Sequence, residues 1–145
     1  LIFLRQQTPP GTSGLLLAFW ALSLVWATDV GAYFAGRAIG GPKLAPRVSP
    51  SKTWAGLAGG VLAALVLGFL LHRFAGLPIQ LAAASGLLAV AAQLGDLLES
   101  HMKRRAGVKD SGTLLPGHGG VMDRLDGVVA AAPLAALAYL LLVLP

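Results

Sequence analysis

Four aspartates stand within or at the ends of long apolar runs, where a carboxylate is costly. Asp29 lies near the end of the first run and Asp96 near the end of the third, while Asp123 and Asp126 open the fourth. Placing an ionised acid toward the bilayer centre costs about 2.5–3.5 kcal/mol on insertion scales, so such residues face a cavity or a partner. Their spacing groups them with other polar residues. Asp123 and Asp126 are three apart and share a helix face, Asp96, Glu99 and Lys103 fall on one stripe, and Asp29 and Tyr33 are four apart. Carboxylates presented by adjacent helices suit a hard cation such as Mg²⁺, which takes one or two of them and completes its shell with water and substrate phosphate. The chain has no cysteine, which excludes a thiolate nucleophile and a disulfide framework, and no His–Cys constellation points to zinc. Ion pairing at a membrane surface would account for any one of these acids. It does not account for all four beside His118–Gly119–Gly120, with basic residues on either side. Asp110, in a loop, is the acid expected to be merely solvated or paired.

The elements that must position these residues are membrane helices. Of 145 residues 56% are hydrophobic and 12% charged, and the mean hydropathy is +0.75, a balance that suits lipid rather than water. Apolar runs at about 14–34, 54–71, 78–98 and 121–144 are each close to the roughly 20 residues a spanning helix needs. The spacing predicts an all-α polytopic bundle of four transmembrane helices forming a single membrane domain, with Ser13 capping the first. Gly59–Gly60, Ala82–Ala84 and Ala130–Ala132 supply the small residues that close helix packing in lipid favours. Trp20 and Trp26 are expected to pack or face lipid, and Trp54 to anchor at the interface.

The net charge of +5 sits in two loops, 37–53 and 99–120, rather than on a nucleic-acid-binding face. The first carries Arg37, Lys43, Arg47 and Lys52, and the second Lys103, Arg104, Arg105 and Lys109. Four spans put both loops on one side, which the positive-inside rule assigns to the cytoplasm; Arg5 and Arg73 fall on the other. No cleavable signal peptide is recognisable. The chain begins at Leu1 in what looks like the tail of an earlier apolar segment, so it is expected to be the C-terminal part of a longer protein.

The stretch from Gly95, GDLLESHMKRRAGVKDSGTLLPGHGGVMDRLDG, carries many polar residues at fixed spacing. It resembles the signature of the phosphatidate cytidylyltransferase family through Ser100, Lys103–Arg104, Lys109–Asp110, Pro116, His118–Gly119–Gly120 and Asp123–Arg124–Leu125–Asp126. Two shorter blocks agree: Asp29 to Arg37, with its Ala-Tyr-Phe-Ala-Gly, and Ser49–Pro50–Ser51–Lys52–Thr53–Trp54–Ala55–Gly56. In the latter, Ala55 stands where the family commonly has Glu, so a carboxylate is not supplied there. The resemblance runs from about Thr28 to Gly127; elsewhere the helices match in character only.

The resemblance implies transfer of the cytidylyl group of CTP to phosphatidate, giving CDP-diacylglycerol and pyrophosphate in phospholipid biosynthesis. It further implies an integral protein of the bacterial inner membrane with its active site toward the cytoplasm, and it leaves room for a homodimer. Nucleic acid is not an expected partner. The nucleophile, a lipid phosphate, is already anionic, so the task is to bring two polyanions together by positioning and charge neutralisation. Asp96 and Asp123 are expected to hold Mg²⁺, with Asp126 as a further ligand or its support, and a second cation is compatible with the family. Lys103, Arg104, Lys109 and Arg124 are expected on phosphates, with Arg105 left to the membrane surface. Gly119 and Gly120 would let backbone N–H groups approach phosphate just before a helix start, with His118 donating or orienting. Ser49, Lys52, Thr53, Ser100, Asp29 and Tyr33 complete the expected substrate contacts. His72 and His101 have no such support.

Two rivals use the same residues differently. In a transporter or channel, acids would line an ion path near mid-bilayer, whereas these stand near helix ends. Another membrane phosphotransferase, such as a CDP-alcohol phosphotransferase or a polyprenol kinase, would share the phosphate chemistry. Asp126–Gly127 begins like the CDP-alcohol pattern, but the rest does not follow.

Overall fold

Three long helices start where a side chain can satisfy a free N–H group or where a proline removes one. Ser13 Oγ accepts from the Leu16 N–H at 3.2 Å and opens the first spanning helix, as expected. Thr53 Oγ1 accepts from the Gly56 N–H at 3.0 Å and opens the next, and Pro78 precedes the third. The computed structural model describes residues 1–7, 12–46, 48–107 and 122–143, the last stretch without the side chains of 122–126. In chain order the elements are α1 (Ile2–Gln6), α2 (Gly14–Ala38), β1 (Lys43–Ala45), β2 (Ser49–Thr53), α3 (Trp54–Ala75), α4 (Ile79–Arg105) and α5 (Met122–Leu142).

Helices α2, α3 and α4 are long and apolar enough to cross a membrane, and α5 adds a shorter apolar stretch, Gly127–Leu142. The chain is therefore a helical membrane protein. Three boundaries differ from the sequence expectation in the same direction. Helix α2 runs on to Ala38 and takes in Arg37; α3 runs to Ala75 and takes in His72 and Arg73. Helix α4 continues seven residues past the expected end at 98, so Ser100, Lys103 and Arg104 stand on a helix and not in a loop. The apolar run ends there, but Glu99–Lys103 is an i,i+4 ion pair at 2.6 Å, and Met, Lys and Arg favour helix continuation.

The first basic loop also holds an unexpected hairpin. β1 and β2 pair antiparallel, Lys43 opposite Thr53 and Ala45 opposite Ser49, with the Val48 N–H donating to the Ala45 carbonyl at 3.1 Å across the turn. Pro42, Pro46 and Pro50 lie in or beside this ribbon. In a two-stranded ribbon both strands are edges, where proline is tolerated.

Neighbouring helices run antiparallel. Thr12 Oγ1, before α2, donates to the Gly76 carbonyl after α3 at 2.8 Å. Phe3 of α1 meets Tyr139 of α5 edge to face, which sets the C-terminal part of α5 beside the start of α2. The packing depends on small residues. On α3, Gly56, Gly60, Ala64 and Gly68 are buried at every fourth position. A Cβ on Gly60 would stand 2.8 Å from the Thr28 carbonyl of α2, and one on Gly68 2.9 Å from the Ala82 carbonyl of α4. Helix backbones this close are the usual outcome of glycine at membrane interfaces. The larger core residues, Leu17, Trp20, Leu24, Leu81 and Tyr139, fill the space between α2, α4 and α5. Trp20 is fully buried and its indole N–H donates to Ser85 Oγ at 3.0 Å, whereas Trp26 and Trp54 point outward.

Gly59 faces α2 as well; a Cβ there would run into Ala35. Gly59→Val is expected to destabilise the protein by about 1–3 kcal/mol, the usual cost of overpacking, read as a lower melting midpoint in detergent. An unchanged midpoint would mean that α2 and α3 are not in close contact there.

Candidate functional site

Asp29 is carried by α2 one turn beyond Val25, and Asp96 by α4 one turn beyond Ala92. Both line an open cleft of about 320 Å³ between α2, the hairpin, α3 and α4. Tyr33, Gly36 and Arg37 continue the α2 wall, Ser51, Lys52 and Thr53 come from β2, and Gln93 joins Asp96 from α4. The hairpin matters because it turns the chain back from α2 and lays Lys52 across to α4. There the Lys52 ammonium forms an ion pair with Asp96 Oδ2, and Nζ also donates to the Gln93 carbonyl at 3.4 Å. Both side chains of the pair remain partly open, with relative exposures of 19% and 32%. Ser100 Oγ lies 3.5 Å from Asp96 Oδ1, one turn further along α4.

The start of α5 reaches the same end of the bundle. A Cβ on Gly127 would stand 2.9 Å from Val25 Cγ1 and 4.0 Å from Ala92 Cβ, so these three positions form one layer. Asp29 and Asp96 lie one turn beyond that layer. Because α5 runs opposite to α2 and α4, the backbone of 123–126 leaves the layer in the same direction. Asp123, Arg124 and Asp126 thus stand on the opening turns of α5 at the cleft's end of the molecule; their side chains lie outside the described residues, as do Lys109, His118, Gly119 and Gly120.

The structure therefore brings Asp29, Tyr33, Lys52, Thr53 and Asp96 together. Ser49 is not on the cleft lining; its hydroxyl lies 3.4 Å from that of Ser51, which is. Thr53 lines the cleft, but its hydroxyl is engaged as the α3 cap, and Gly36 packs against it. Thr53→Val is expected to cost about 1 kcal/mol of stability, seen as a lower melting midpoint that Thr53→Ser restores. An unchanged midpoint in Thr53→Val would show that the cap contributes little. Lys103 pairs with Glu99 two turns beyond Asp96 and does not line the cleft, and Arg104 is exposed at the end of α4. Arg37, Ser51 and Gln93 were not singled out as contacts. Gln93 had a signal: it is a lone polar residue in an apolar run, three before Asp96 and so on its face.

Among the described residues no three His, Cys, Asp or Glu side chains converge as a metal cluster. The donor set still fits a hard divalent ion. The described lining offers two carboxylates, Asp29 and Asp96, and no imidazole or sulfur, and an ion such as Mg²⁺ takes few protein ligands and leaves positions for phosphate. Lys52 and Arg37 give the same cleft two positive charges for an anion. This combination of paired carboxylates and cations, open to solvent at a helix-bundle end, suits a metal-bound polyphosphate.

Comparison with known proteins bears on the whole chain. A family model described as the cytidylyltransferase family matches residues 2–142. The chain is 51% identical over 140 residues to a phosphatidate cytidylyltransferase of Brucella suis biovar 1 (strain 1330), covering 92% of this chain and 49% of the relative. It is 47% identical over 140 residues to one from Haemophilus influenzae, covering 90% and 48%, and 48% identical over 123 residues to one from Bacillus subtilis (strain 168), covering 83% and 46%. The chain spans about half the length of the curated relatives it matches. Neither the transporter nor the polyprenol-kinase reading gains support from these matches.

Proposed function

The chain belongs to the cytidylyltransferase family, and on that premise we propose that the whole protein transfers the cytidylyl group of CTP to phosphatidate. A phosphate oxygen of phosphatidate attacks the α-phosphorus of CTP. The bond from that phosphorus to the bridging oxygen breaks, and pyrophosphate leaves with the electron pair. The products are CDP-diacylglycerol and pyrophosphate. The lipid phosphate arrives deprotonated, so no strong general base is needed, and the protein's work is to orient two anions and neutralise them.

The observation that carries this reading is the cleft itself, with Asp29, Lys52 and Asp96 on its walls and the α5 acids beginning at the same end. Asp96, Asp123 and Asp126 would hold Mg²⁺, and a second cation is compatible with Asp29 on the facing wall. A bound Mg²⁺ would supply Lewis-acid stabilisation of the charge that builds on the departing pyrophosphate. Lys52 and Arg37 bind phosphate oxygens from the hairpin and from α2. Lys103 and Arg104, at the end of α4, and Arg124, on the opening turns of α5, would take further phosphate contacts; Lys109, His118, Gly119 and Gly120 are proposed as contacts from the sequence alone. Tyr33, Ser51, Gln93 and Ser100 are neutral hydrogen-bonding groups at or near the cleft, beside the Thr53 hydroxyl that caps α3.

The basic residues support a placement in the bacterial cell membrane with the cleft toward the cytoplasm. Arg37, Lys43, Lys52, Lys103, Arg104 and Arg105 belong to the cleft's end, while Arg5 and Arg73 belong to the other. CTP is available on the cytoplasmic side. A homodimer is compatible with the outward apolar side chains of α3, such as Leu62, Val66 and Phe74, and light scattering of the detergent-solubilised whole protein would count the copies.

The test is a product assay. The whole protein in detergent, given labelled CTP, phosphatidate and Mg²⁺, should form CDP-diacylglycerol with one pyrophosphate per product, and chelation should stop it. A folded protein that forms no product from phosphatidate, or that labels a polyprenol instead, would overturn the assignment.

A further inference from the structure

Lys52 and Asp96 face each other across the cleft as an ion pair, so a positive and a negative group of the proposed site neutralise each other. Lys52 Nζ is held twice on α4, by the Asp96 carboxylate and by the Gln93 carbonyl at 3.4 Å. Asp96 Oδ2 is occupied by the ammonium, and Oδ1 faces Ser100 Oγ at 3.5 Å. The carboxylate is thus engaged on both oxygens. The pair joins a two-stranded ribbon to a long helix, so breaking it requires movement of only the flexible Lys52 side chain and not of a packed element.

We infer that Lys52 is a positioning residue that holds Asp96 closed to cations until a nucleotide triphosphate draws the ammonium away. This rests on the cytidylyltransferase reading of the cleft. The phosphate chain of CTP offers Lys52 a more highly charged partner within the same cleft, and the freed Asp96 oxygen then meets the Mg²⁺ that the nucleotide carries. Metal and nucleotide enter together, and the two acids Asp29 and Asp96 are not left facing each other without a counter-charge between turnovers. Lys52 therefore acts on the two ligands in opposite senses: it competes with a free cation and assists the anion.

The experiment measures Mn²⁺ binding, in place of Mg²⁺, to the nucleotide-free whole protein in detergent by electron paramagnetic resonance. CTP half-saturation is measured in parallel. Lys52→Met should bind Mn²⁺ about fivefold more tightly, the scale of an ion pair worth about 1 kcal/mol, while its KM for CTP rises at least as much. Lys52→Arg, which keeps the pair, should stay within about twofold of the parent on both readouts. Removing any positive charge strengthens cation binding to some degree, so Arg37→Gln is the control. Arg37 lines the same cleft, and its loss should tighten Mn²⁺ by less than about twofold.

Unchanged or weakened Mn²⁺ binding in a folded Lys52→Met would overturn the inference, as would an equal tightening in Arg37→Gln. Asp96→Asn separates this from the underlying reading. If it abolishes Mn²⁺ binding while Lys52→Met changes nothing, Asp96 is a ligand and only the role of Lys52 fails. If it leaves Mn²⁺ binding intact, the assignment of metal to Asp96 fails and the role of Lys52 falls with it.

Discussion

Asp96→Asn in the whole protein is expected to lower kcat for CDP-diacylglycerol formation by about 10²–10³-fold, the cost of removing one stabiliser of transition-state charge. The substitution keeps the shape of the side chain and leaves the Ser100 hydroxyl a partner, so the fold should persist. It breaks the ion pair with Lys52, but both groups are partly open to water, which limits that loss. The effect should fall on kcat rather than on the KM for phosphatidate, because the charge on departing pyrophosphate is greatest in the transition state. Parallel kinetics and thermal melts would check it. A mainly KM effect would recast Asp96 as a binding residue, and a collapse of the melting midpoint would recast it as structural.

Asp123→Asn is expected to have an effect of the same order, about 10²–10³-fold on kcat, together with a raised Mg²⁺ requirement. The ground is where α5 begins. Gly127 lies against Val25 and Ala92, and the acids of α2 and α4 stand one turn past those residues, on the side to which the opening turns of α5 run. Activity measured across a Mg²⁺ titration is the readout. Near-normal activity at ordinary Mg²⁺ would remove Asp123 from the site and leave Asp96, Asp126 and Asp29 as its proposed carboxylates.

Hydrophobicity alone located the helix bundle, but it misplaced the helix ends. Expected ends at 34, 71 and 98 followed the last apolar residues, while the hydrogen-bonded helices run on to Ala38, Ala75 and Arg105. Polar side chains with good helix propensity continue a helix beyond the lipid, and that signal is weaker than the apolar pattern. The hairpin was hidden for a different reason. Three prolines in a basic segment argue against strand, and only tertiary placement shows that these strands are edges.

The two acids of the cleft were legible because each contradicts its apolar surroundings: Asp29 and Asp96 line it together. Their partner was not. Lys52 looked like one more phosphate contact, and its pairing with Asp96 depends on the fold of the ribbon between α2 and α3. The Thr53 hydroxyl looked like a substrate contact and is held as a helix cap, a local role that its place before Trp54–Ala55–Gly56 already suggests.

Carboxylates from separate helices are proposed to serve one catalytic centre. The most direct test is a double-mutant cycle of Asp96→Asn and Asp123→Asn on Mg²⁺-dependent kcat/KM in the whole protein. Groups that act as a unit lose their effect together, so the double variant should be about as slow as the slower single variant, within roughly threefold. Losses that multiply, giving a double variant slower by about the product of the two single effects, would show two independent contributions and contradict a shared centre.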